Sequence, residues 1–232
     1  MSKEVLMRLQ SDLKTAGYYS GDVDGLWGKQ SNNAWAAAMG VLSGAKKDTT
    51  MPPVLDLAWS AKVSALFTTK VAKMATDLGC QSAEAPDWFM ACMAWETGEK
   101  FTPDVKNPGS SATGLIQFMD ATAKGMGTTT AALAKLTAEQ QLDYVYKYFL
   151  PYKNRLKNLG DIYMAIIWPA GIGKSDDWVM WVKEEREKIY LANKGLDVNK
   201  DGKITRGECI VKVTEKLVKG RLPANRRVLT FA

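Results

Sequence analysis

Apolar positions recur at helical spacing along most of the chain. From Leu55 to about Asn193, apolar side chains follow one another three and four residues apart, which places them on one face of a helix. Alternating strand-like runs are scarce. The spacing predicts a mainly α fold, with helices near residues 57–78, 86–97, 114–124, 130–135, 138–148, 161–168 and 176–192.

The first 42 residues predict a small helical unit of their own. Apolar residues at helical spacing indicate a first helix that ends at Gly17, and Ser31 has the side chain of an N-cap for a second helix. Residues 43–54 are polar and rich in helix breakers, a composition typical of a linker. The pattern divides the chain into a helical unit at 1–42, a linker at 43–54 and a larger helical domain at 55–232.

Composition narrows the chemistry that the chain can perform. Its 232 residues include no histidine, so neither a Ser-His-Asp nor a Cys-His nucleophile nor a histidine-containing catalytic zinc site can be assembled. Catalysis by carboxylates remains available. The three cysteines, Cys80, Cys92 and Cys209, show no CxxC spacing and lie in apolar stretches, and we expect them to be buried free thiols.

The chain carries a net charge of +6, which suits a polyanionic partner. It contains none of the motifs of nucleic-acid binding and no apolar run near the ~20 residues that span a bilayer. We therefore expect neither a nucleic-acid partner nor stable insertion into a membrane. Six lysines and arginines lie between Cys209 and Ala232. A solvated helix face explains them, and contact with anionic wall or outer-membrane phosphates is the alternative.

The segment from Pro86 to Trp95 is nearly all apolar and is followed by Glu96. A carboxyl group in such surroundings is poorly solvated, which raises its pKa. A carboxylic acid that stays protonated near neutral pH can protonate the oxygen of a glycosidic bond. The alternative for Glu96 is a charge at a helix end that reaches solvent.

The residues that follow Glu96 form a recognisable series. Its members are Glu96-Thr97-Gly98, Phe101, Pro103, Asn107, Gly114-Leu115-Ile116-Gln117 and Thr122-Ala123. This series resembles the signature of the lytic transglycosylases, which are goose-type lysozyme-like enzymes. The resemblance implies that Glu96 is the catalytic acid/base, that Gln117 contacts the sugar and that Asn107 occupies a polar position beside the substrate.

A later stretch departs from this family. Residues 165–171 stand where the family has a Tyr-Asn pair, and Trp168 and Pro169 replace those two residues here. This departure puts the family's usual hydrogen bond from the loop in doubt. Trp168 is a candidate for stacking on a sugar face, with core packing as the alternative.

The outcome of the reaction depends on a second carboxylate. An inverting hydrolase needs one about 6.5–9.5 Å from the acid, with water between them. Glu99 and Asp104 are the nearby candidates; we expect Glu99 to be a solvated loop charge and leave Asp104 open. Without a second carboxylate, the resemblance implies that Glu96 acts first as acid and then as base, while the muramic acid C6 hydroxyl closes an anhydro ring.

Within residues 1–42, a series of glycines and aromatic residues resembles the small three-helix peptidoglycan-binding domain. The series comprises Gly17-Tyr18-Tyr19, Gly21, Asp24-Gly25 and Trp27-Gly28. The resemblance implies a wall-facing surface formed by Tyr18, Tyr19, Asp24 and Trp27. The alternative for the aromatic residues is the core of a very small domain.

Residues 197–208 have the pattern of an EF-hand calcium loop. Oxygen-bearing side chains stand at positions 1, 3, 5 and 9, glycine at position 6 and glutamate at position 12. The candidate ligands of a structural calcium ion are Asp197, Asn199, Asp201, Lys203 and Glu208. A vestigial loop that keeps its shape and binds weakly is the alternative. The chemistry at Glu96 requires no cofactor.

Together the two resemblances imply a phage endolysin, in which a wall-binding unit is joined to a lysozyme-like domain that cleaves the MurNAc–GlcNAc bond of bacterial peptidoglycan. The N-terminus has no secretory signal. We therefore expect the protein to stay in the host cytoplasm until a holin-type pore releases it to the periplasm and cell wall, and we expect a monomer. The alternatives are a virion-associated lysozyme used at infection and a non-catalytic wall-binding tail protein.

Overall fold

The computed structural model describes residues 3–43 and 56–227. Within these ranges the chain is mainly helical, as the apolar spacing predicts, with one two-stranded antiparallel sheet. The helices are α1 (Lys3–Thr15), α2 (Lys29–Ser43), α3 (Ala65–Asp77), α4 (Ala85–Glu96), α5 (Asp120–Gly125), α6 (Thr130–Leu133), α7 (Ala138–Phe149), α8 (Leu159–Ile167), α9 (Glu187–Asn193) and α10 (Arg206–Gly220). The strands are β1 (Val179–Val182) and β2 (Lys203–Thr205).

The helices of these described ranges include none with the length and apolar character needed to cross a membrane. The three cysteines are free, as expected. Cys92 and Cys209 are buried, and Cys80 is half-buried.

Two predicted helices start later than the apolar spacing indicates. The helix predicted near 57–78 begins only with α3, where the Ser64 hydroxyl caps it by accepting a backbone hydrogen bond of 3.0 Å. The helix predicted near 114–124 begins only with α5. Gly114 and Gln117 have φ angles of 84° and 54°, which a right-handed helix excludes.

The region predicted as one helix near 176–192 contains a strand before its helix. Residues 179–182 are two valines, a methionine and a tryptophan, which suit an extended backbone packed on a core. They form β1, which pairs antiparallel with β2. Apolar periodicity does not separate a short buried strand from a helix turn. The helix begins only at Glu187, so this prediction was wrong for residues 176–186.

The central helix of the larger domain is α4. It is apolar on all sides, and the seven residues from Trp88 to Ala94 are buried. A helix of this kind belongs in a core, and α3, α8 and α10 pack against it. Phe89 meets Phe149 of α7 edge to face, with ring centroids 5.1 Å apart. Burial of each such side chain contributes about 2 kcal/mol, so the position of Glu96 at the end of α4 is firmly held.

The N-terminal unit consists of α1, α2 and the turn segment between them, so residues 3–43 contain two helices rather than the three expected. Buried Gln10 joins these parts, because its Nε2 donates to Asp24 Oδ1 (2.9 Å) and to the Ser31 hydroxyl (3.2 Å). Ser31 lies inside α2, which corrects its prediction as an N-cap. Apart from Ser43, the predicted linker lies outside the described residues.

This unit packs on α3 and α7 of the larger domain. Asp12 Oδ2 accepts a hydrogen bond of 2.8 Å from the backbone amide of Ala65, the first residue of α3. Leu66 of α3 belongs to the same apolar cluster as Leu13 and Trp35. The two regions therefore share a packed interface in this structure.

The basic segment from Cys209 onward is largely paired within the chain. Arg221 lies 2.9 Å from Asp87 of α4, and Arg226 lies 2.8 Å from Asp56. These contacts correct the expectation of a helix face that is merely solvated. They fasten α10 and the residues after it to the larger domain.

Candidate active site

A cleft of about 550 Å³ opens at the C-terminal end of α4. Its walls come from α4, the loop before α5, α7, α8 and the end of α9. The described lining residues are Trp95, Glu96, Asn107, Ser110, Ala112, Ile116, Gln117, Phe118, Met119, Thr122, Tyr148, Tyr163, Ile166, Ile167, Ala192, Asn193, Gly195 and Leu196. The cleft thus combines apolar and aromatic surface with a few amide, hydroxyl and carboxyl groups, a composition typical of a ligand-binding site.

Glu96 is the one carboxylate among these lining residues. Burial raises its pKa from 4.5 to about 7. Within the described ranges, no lysine or arginine lies close enough to form an ion pair with Glu96 and no donor forms a hydrogen bond with it. Its place at a helix C-terminus, the negative end of the helix dipole, further disfavours its charged form. Glu96 is therefore an acid that is substantially protonated near neutral pH.

Two tyrosines that the sequence did not single out lie beside Glu96. The Tyr148 hydroxyl donates to the Ala165 carbonyl of α8 (2.7 Å), and the Tyr163 hydroxyl accepts from Trp95 Nε1 (3.0 Å). Burial raises the pKa of both phenols, with smaller contributions from Tyr152 in the case of Tyr148 and from nearby Glu96 for both. They stay neutral and line the same cleft as the carboxyl group. Both reach the cleft through the packing of α7 and α8 on α4, which no local sequence pattern indicates.

The turn after Glu96 is built by its neighbour Thr97. This buried residue donates from Oγ1 to the Met93 carbonyl (2.7 Å) and accepts there from the amide of Phe101 (3.1 Å). Phe101 is buried against Trp59. Thr97 therefore fixes the backbone turn that follows α4, and Glu96 before it lines the cleft.

Glu99 is not the solvated loop charge that the sequence suggested. Its carboxylate pairs with Lys216 and with Lys219 (2.7 Å), both on α10. Desolvation acts to raise the pKa of Glu99, but the hydrogen bonds from the two lysines outweigh it and hold that pKa below its ordinary value. Glu99 and the exposed Asp104 both lie outside the cleft lining, so neither is placed as a second catalytic carboxylate.

The segment from residue 105 to residue 118 forms one side of the cleft and brings Asn107 and Gln117 to it. Bridges between Lys106 and Thr113 and between Thr113 and Phe118 fold this segment back on itself. Gln117 Nε2 donates to the carbonyls of residues 105 and 114 (3.2 and 3.0 Å), which fixes the amide plane. Glu96, Asn107 and Gln117 thus lie around one cleft.

Gln141 holds this segment in place, and sequence reasoning missed it. Its Oε1 accepts from the Leu115 amide (2.7 Å), and its Nε2 donates to the carbonyls of Leu133 (2.9 Å) and Pro103 (3.1 Å). A Cβ atom at Gly114 would overlap the Gln141 amide. Position 114 therefore requires glycine for two reasons, the positive φ angle and the close approach of the Gln141 amide. The available signal for this role was Gln141 itself, a polar residue that lies buried within α7.

Trp168 does not line the cleft, although the two residues before it do. Its ring meets Trp181 of β1 edge to face, with centroids 5.6 Å apart, and the Arg186 guanidinium lies 5.7 Å from the ring centre. This packing, with Trp168 half-buried against the core, favours the core alternative over the prediction that Trp168 stacks on a sugar.

The two tyrosines predicted to face the wall are turned inward. Tyr19 is 8% exposed and donates to the Asp22 carbonyl (2.9 Å). Tyr18 is half-buried and donates to Asp143 of α7 (3.4 Å). Burial contradicts a wall-facing role for Tyr19. Tyr18 is engaged at the junction with α7, and its wall-facing role stays a prediction.

Asp24 and Trp27 have more access to solvent. Asp24 is exposed and accepts a hydrogen bond from the Leu26 amide (2.9 Å), while half-buried Trp27 donates to Asn32 Oδ1 (2.7 Å). Leu26 between them is 69% exposed. These residues form the accessible part of the predicted surface, and its binding role stays a prediction.

The loop predicted to hold calcium turns sharply at Gly202, whose φ angle is 83°. The Tyr190 hydroxyl donates to Asp197 (2.6 Å) and is the main cause that lowers the pKa of that carboxyl. No group of three or more Asp, Glu, Cys or His side chains in the described part of the chain is placed to hold a metal ion. The acidic members of the predicted ligand set, Asp197, Asp201 and Glu208, are therefore not gathered into such a group.

No family model matches the chain, and no curated protein gives a significant match.

Proposed function

We propose that the chain is a peptidoglycan-degrading enzyme of the endolysin kind, which cleaves the MurNAc–GlcNAc β-1,4 bond with Glu96 as general acid and base. The observation that carries this proposal is a carboxyl group with a pKa near 7, alone in a cleft lined by aromatic and polar side chains. Such a group delivers a proton to a leaving oxygen near neutral pH. The N-terminal unit, with Asp24, Leu26 and Trp27 accessible, supplies the proposed wall-binding surface.

The absence of a second carboxylate from the described cleft lining favours transglycosylation over inverting hydrolysis. In this mechanism Glu96 gives its proton to the glycosidic oxygen as the bond to C1 of the muramic acid breaks. The resulting carboxylate then accepts the proton of the C6 hydroxyl while O6 bonds to C1. The products are a 1,6-anhydro end and a free 4-hydroxyl, water is not consumed, and Glu96 ends protonated again.

The remaining polar groups of the cleft position the substrate in this proposal. Gln117, whose amide is fixed by two backbone carbonyls, presents a preorganised polar edge to the sugar. Asn107 adds a second amide on the same side. Neutral Tyr148 and Tyr163 exclude water from Glu96 and keep its proton in place.

Digestion of purified peptidoglycan tests this function. Glu96→Gln preserves shape and removes the transferable proton, so we expect activity to fall by about a thousand-fold. Glu99→Gln makes the same chemical change three residues away, outside the cleft lining, and should leave activity within about two-fold. Retained cleavage by the Glu96 variant would refute the mechanism.

Mass spectrometry of the released muropeptides tests the reaction type. We expect 1,6-anhydro ends from the wild-type chain. Reducing ends would instead show that a water molecule attacks C1, and would overturn the transglycosylase assignment while leaving Glu96 as the acid. No release of muropeptides by the wild-type chain would overturn the enzyme itself.

A further inference from the structure

The loop from Asp197 to Glu208 connects two elements that bear on the cleft. Four of the five residues just before it, Ala192, Asn193, Gly195 and Leu196, form part of the cleft wall. Its last three residues begin α10, which packs against α4, the helix that ends at Glu96. A conformational change in the loop can therefore affect the cleft in two ways, through the wall that precedes the loop and through α10, which packs against α4.

Asp197 carries a buried and unsatisfied oxygen. The residue is 7% exposed, which is uncommon for a carboxylate. Its Oδ2 accepts from the Tyr190 hydroxyl (2.6 Å) and from the Gly202 amide (3.1 Å). Its Oδ1 is buried with no hydrogen-bond partner in the described structure. A buried carboxylate oxygen without a partner is costly, and a cation would supply the partner that it lacks.

The other groups of the loop are suitable companions for Asp197. Asn199, Asp201 and Glu208 bear oxygen atoms, and Lys203 offers its backbone carbonyl at the seventh position. The loop has no sulfur or imidazole ligand, so its chemistry favours a hard cation. Calcium accepts six to eight oxygens in flexible geometry, whereas magnesium requires a tighter octahedron and retains water.

Glu208 explains why these ligands are not gathered in the structure described above. Its Oε1 accepts from the amides of Val198 and Asn199 (3.1 and 3.3 Å), and its Oε2 accepts from the amide and hydroxyl of Thr205 (both 2.9 Å). These bonds tie the first residues of the loop to the start of α10. A cation must displace some of them, so binding would reorganise the loop.

We propose that the Asp197–Glu208 loop is a calcium site and that calcium binding fixes the cleft wall at Ala192–Leu196. Asp197, Asn199, Asp201, Glu208 and the Lys203 carbonyl would hold the ion. The ion satisfies Asp197 Oδ1 and joins the end of the cleft wall to α10. The first half of this proposal stands on the loop alone, and the effect on catalysis rests on the function proposed for the cleft.

Calcium binding is tested by thermal unfolding of the full chain after treatment with a chelator. We expect saturating calcium to raise Tm by about 5 °C or more, and magnesium at the same concentration to raise it less. Terbium luminescence gives a second readout, because the Tyr190 ring adjoins Asp197 and sensitises an ion bound there. No Tm shift and no sensitised luminescence in the wild-type chain at millimolar ion would overturn the site.

Two matched variants on α10 localise the ion. Glu208→Gln keeps an acceptor for the Thr205 capping bonds but removes a charged ligand, and we expect calcium affinity to fall at least ten-fold. Glu215→Gln makes the same charge change on an exposed residue of α10 outside the loop and should keep the full shift. Asp201→Asn retains the acceptor for the Lys203 amide and serves as a second loop variant. Equal calcium responses in all three variants would contradict the assignment.

Hydrogen exchange measures the effect on the cleft wall without measuring activity. We expect calcium to slow exchange of the amides of residues 193–196 at least several-fold, in the wild-type chain and in Glu96→Gln alike. Unchanged exchange there, with a normal Tm shift, would overturn the link to the cleft and leave the ion site. Because the Glu96 variant is inactive by design, failure of the calcium site and failure of the proposed activity give different results.

Discussion

Two carboxyl groups of this molecule, each with a pKa raised by burial, differ in what surrounds them. Asp143 lies where the N-terminal unit meets α7, with Lys70 Nζ at 2.7 Å and the Tyr18 hydroxyl at 3.4 Å. Lys70 also donates to the Glu139 carbonyl (2.7 Å). Glu96 lies at the end of α4, where the described structure provides neither a cation nor a hydrogen-bond donor for it.

The same chemical group behaves differently in the two places because its surroundings determine how its charged form is stabilised. Burial raises the pKa of Asp143 and lowers that of Lys70, and the attraction between the two opposes both shifts. The pair and Tyr18 together lock the interface between the two regions. Glu96 has no such compensation, so its protonation changes near neutral pH, as a proton donor requires.

The largest stability effect is expected from breaking the pair. Lys70→Met keeps much of the side-chain volume but leaves Asp143 buried without its cation, and we expect a loss of about 3 kcal/mol in the free energy of unfolding by denaturant titration. Lys73→Met, on the same helix, removes an ion pair with Asp77 at its surface and should change stability by less than about 1 kcal/mol.

The double variant Lys70→Met/Asp143→Leu distinguishes the electrostatic effect of the pair from the effect of side-chain packing at the same place. Replacing both partners by apolar groups should recover most of the loss, because no buried charge then remains uncompensated. A Lys70 variant as stable as the wild type would mean that Asp143 has little need of its partner, and the contrast with Glu96 would disappear.

Glu96 should show the opposite behaviour, with a dependence on pH. Its pKa is about 7 in the folded chain against about 4.5 in the unfolded one, so the folded state binds more protons between these values and stability falls as pH rises through them. Glu96→Gln removes this effect. Relative to wild type, we expect the variant to gain up to about 3 kcal/mol between pH 4 and pH 8, measured by denaturant titration at each pH. A difference that does not vary with pH would contradict the raised pKa.

Local patterns predict the residues that lie close together in sequence. The spacing of apolar residues predicts the mainly α fold and the position of Glu96 at a helix end, and Asn107 and Gln117 do lie around the same cleft. The bends at Gly114 and Gln117 escape prediction because apolar periodicity does not encode positive φ angles, and Gly114 is further constrained by the close approach of Gln141.

Long-range contacts account for the remaining differences. Glu99 forms ion pairs with Lys216 and Lys219, which lie more than 115 residues later in the chain. Trp168 packs against Trp181, which belongs to a strand that the apolar pattern does not predict. Tyr148 and Tyr163 reach Glu96 only because α7 and α8 pack on α4. Each of these positions depends on topology, which spacing along the chain does not encode.

The smallest effect is expected at Glu99, three residues from Glu96 and charged rather than protonated. Its two lysine partners are partly exposed, so Glu99→Gln should cost about 0.5–1 kcal/mol at pH 7 in denaturant titration. Because its pKa is lowered in the folded chain, the loss should be present above about pH 4.3, the ordinary pKa of glutamate, and should vanish as pH falls through the folded value. The loss should also shrink in high salt. The pH dependence of this stability change is thus opposite in sign to that expected at Glu96. The same sign at both residues would show that the lysine partners of Glu99 do not account for the difference between the two carboxyl groups.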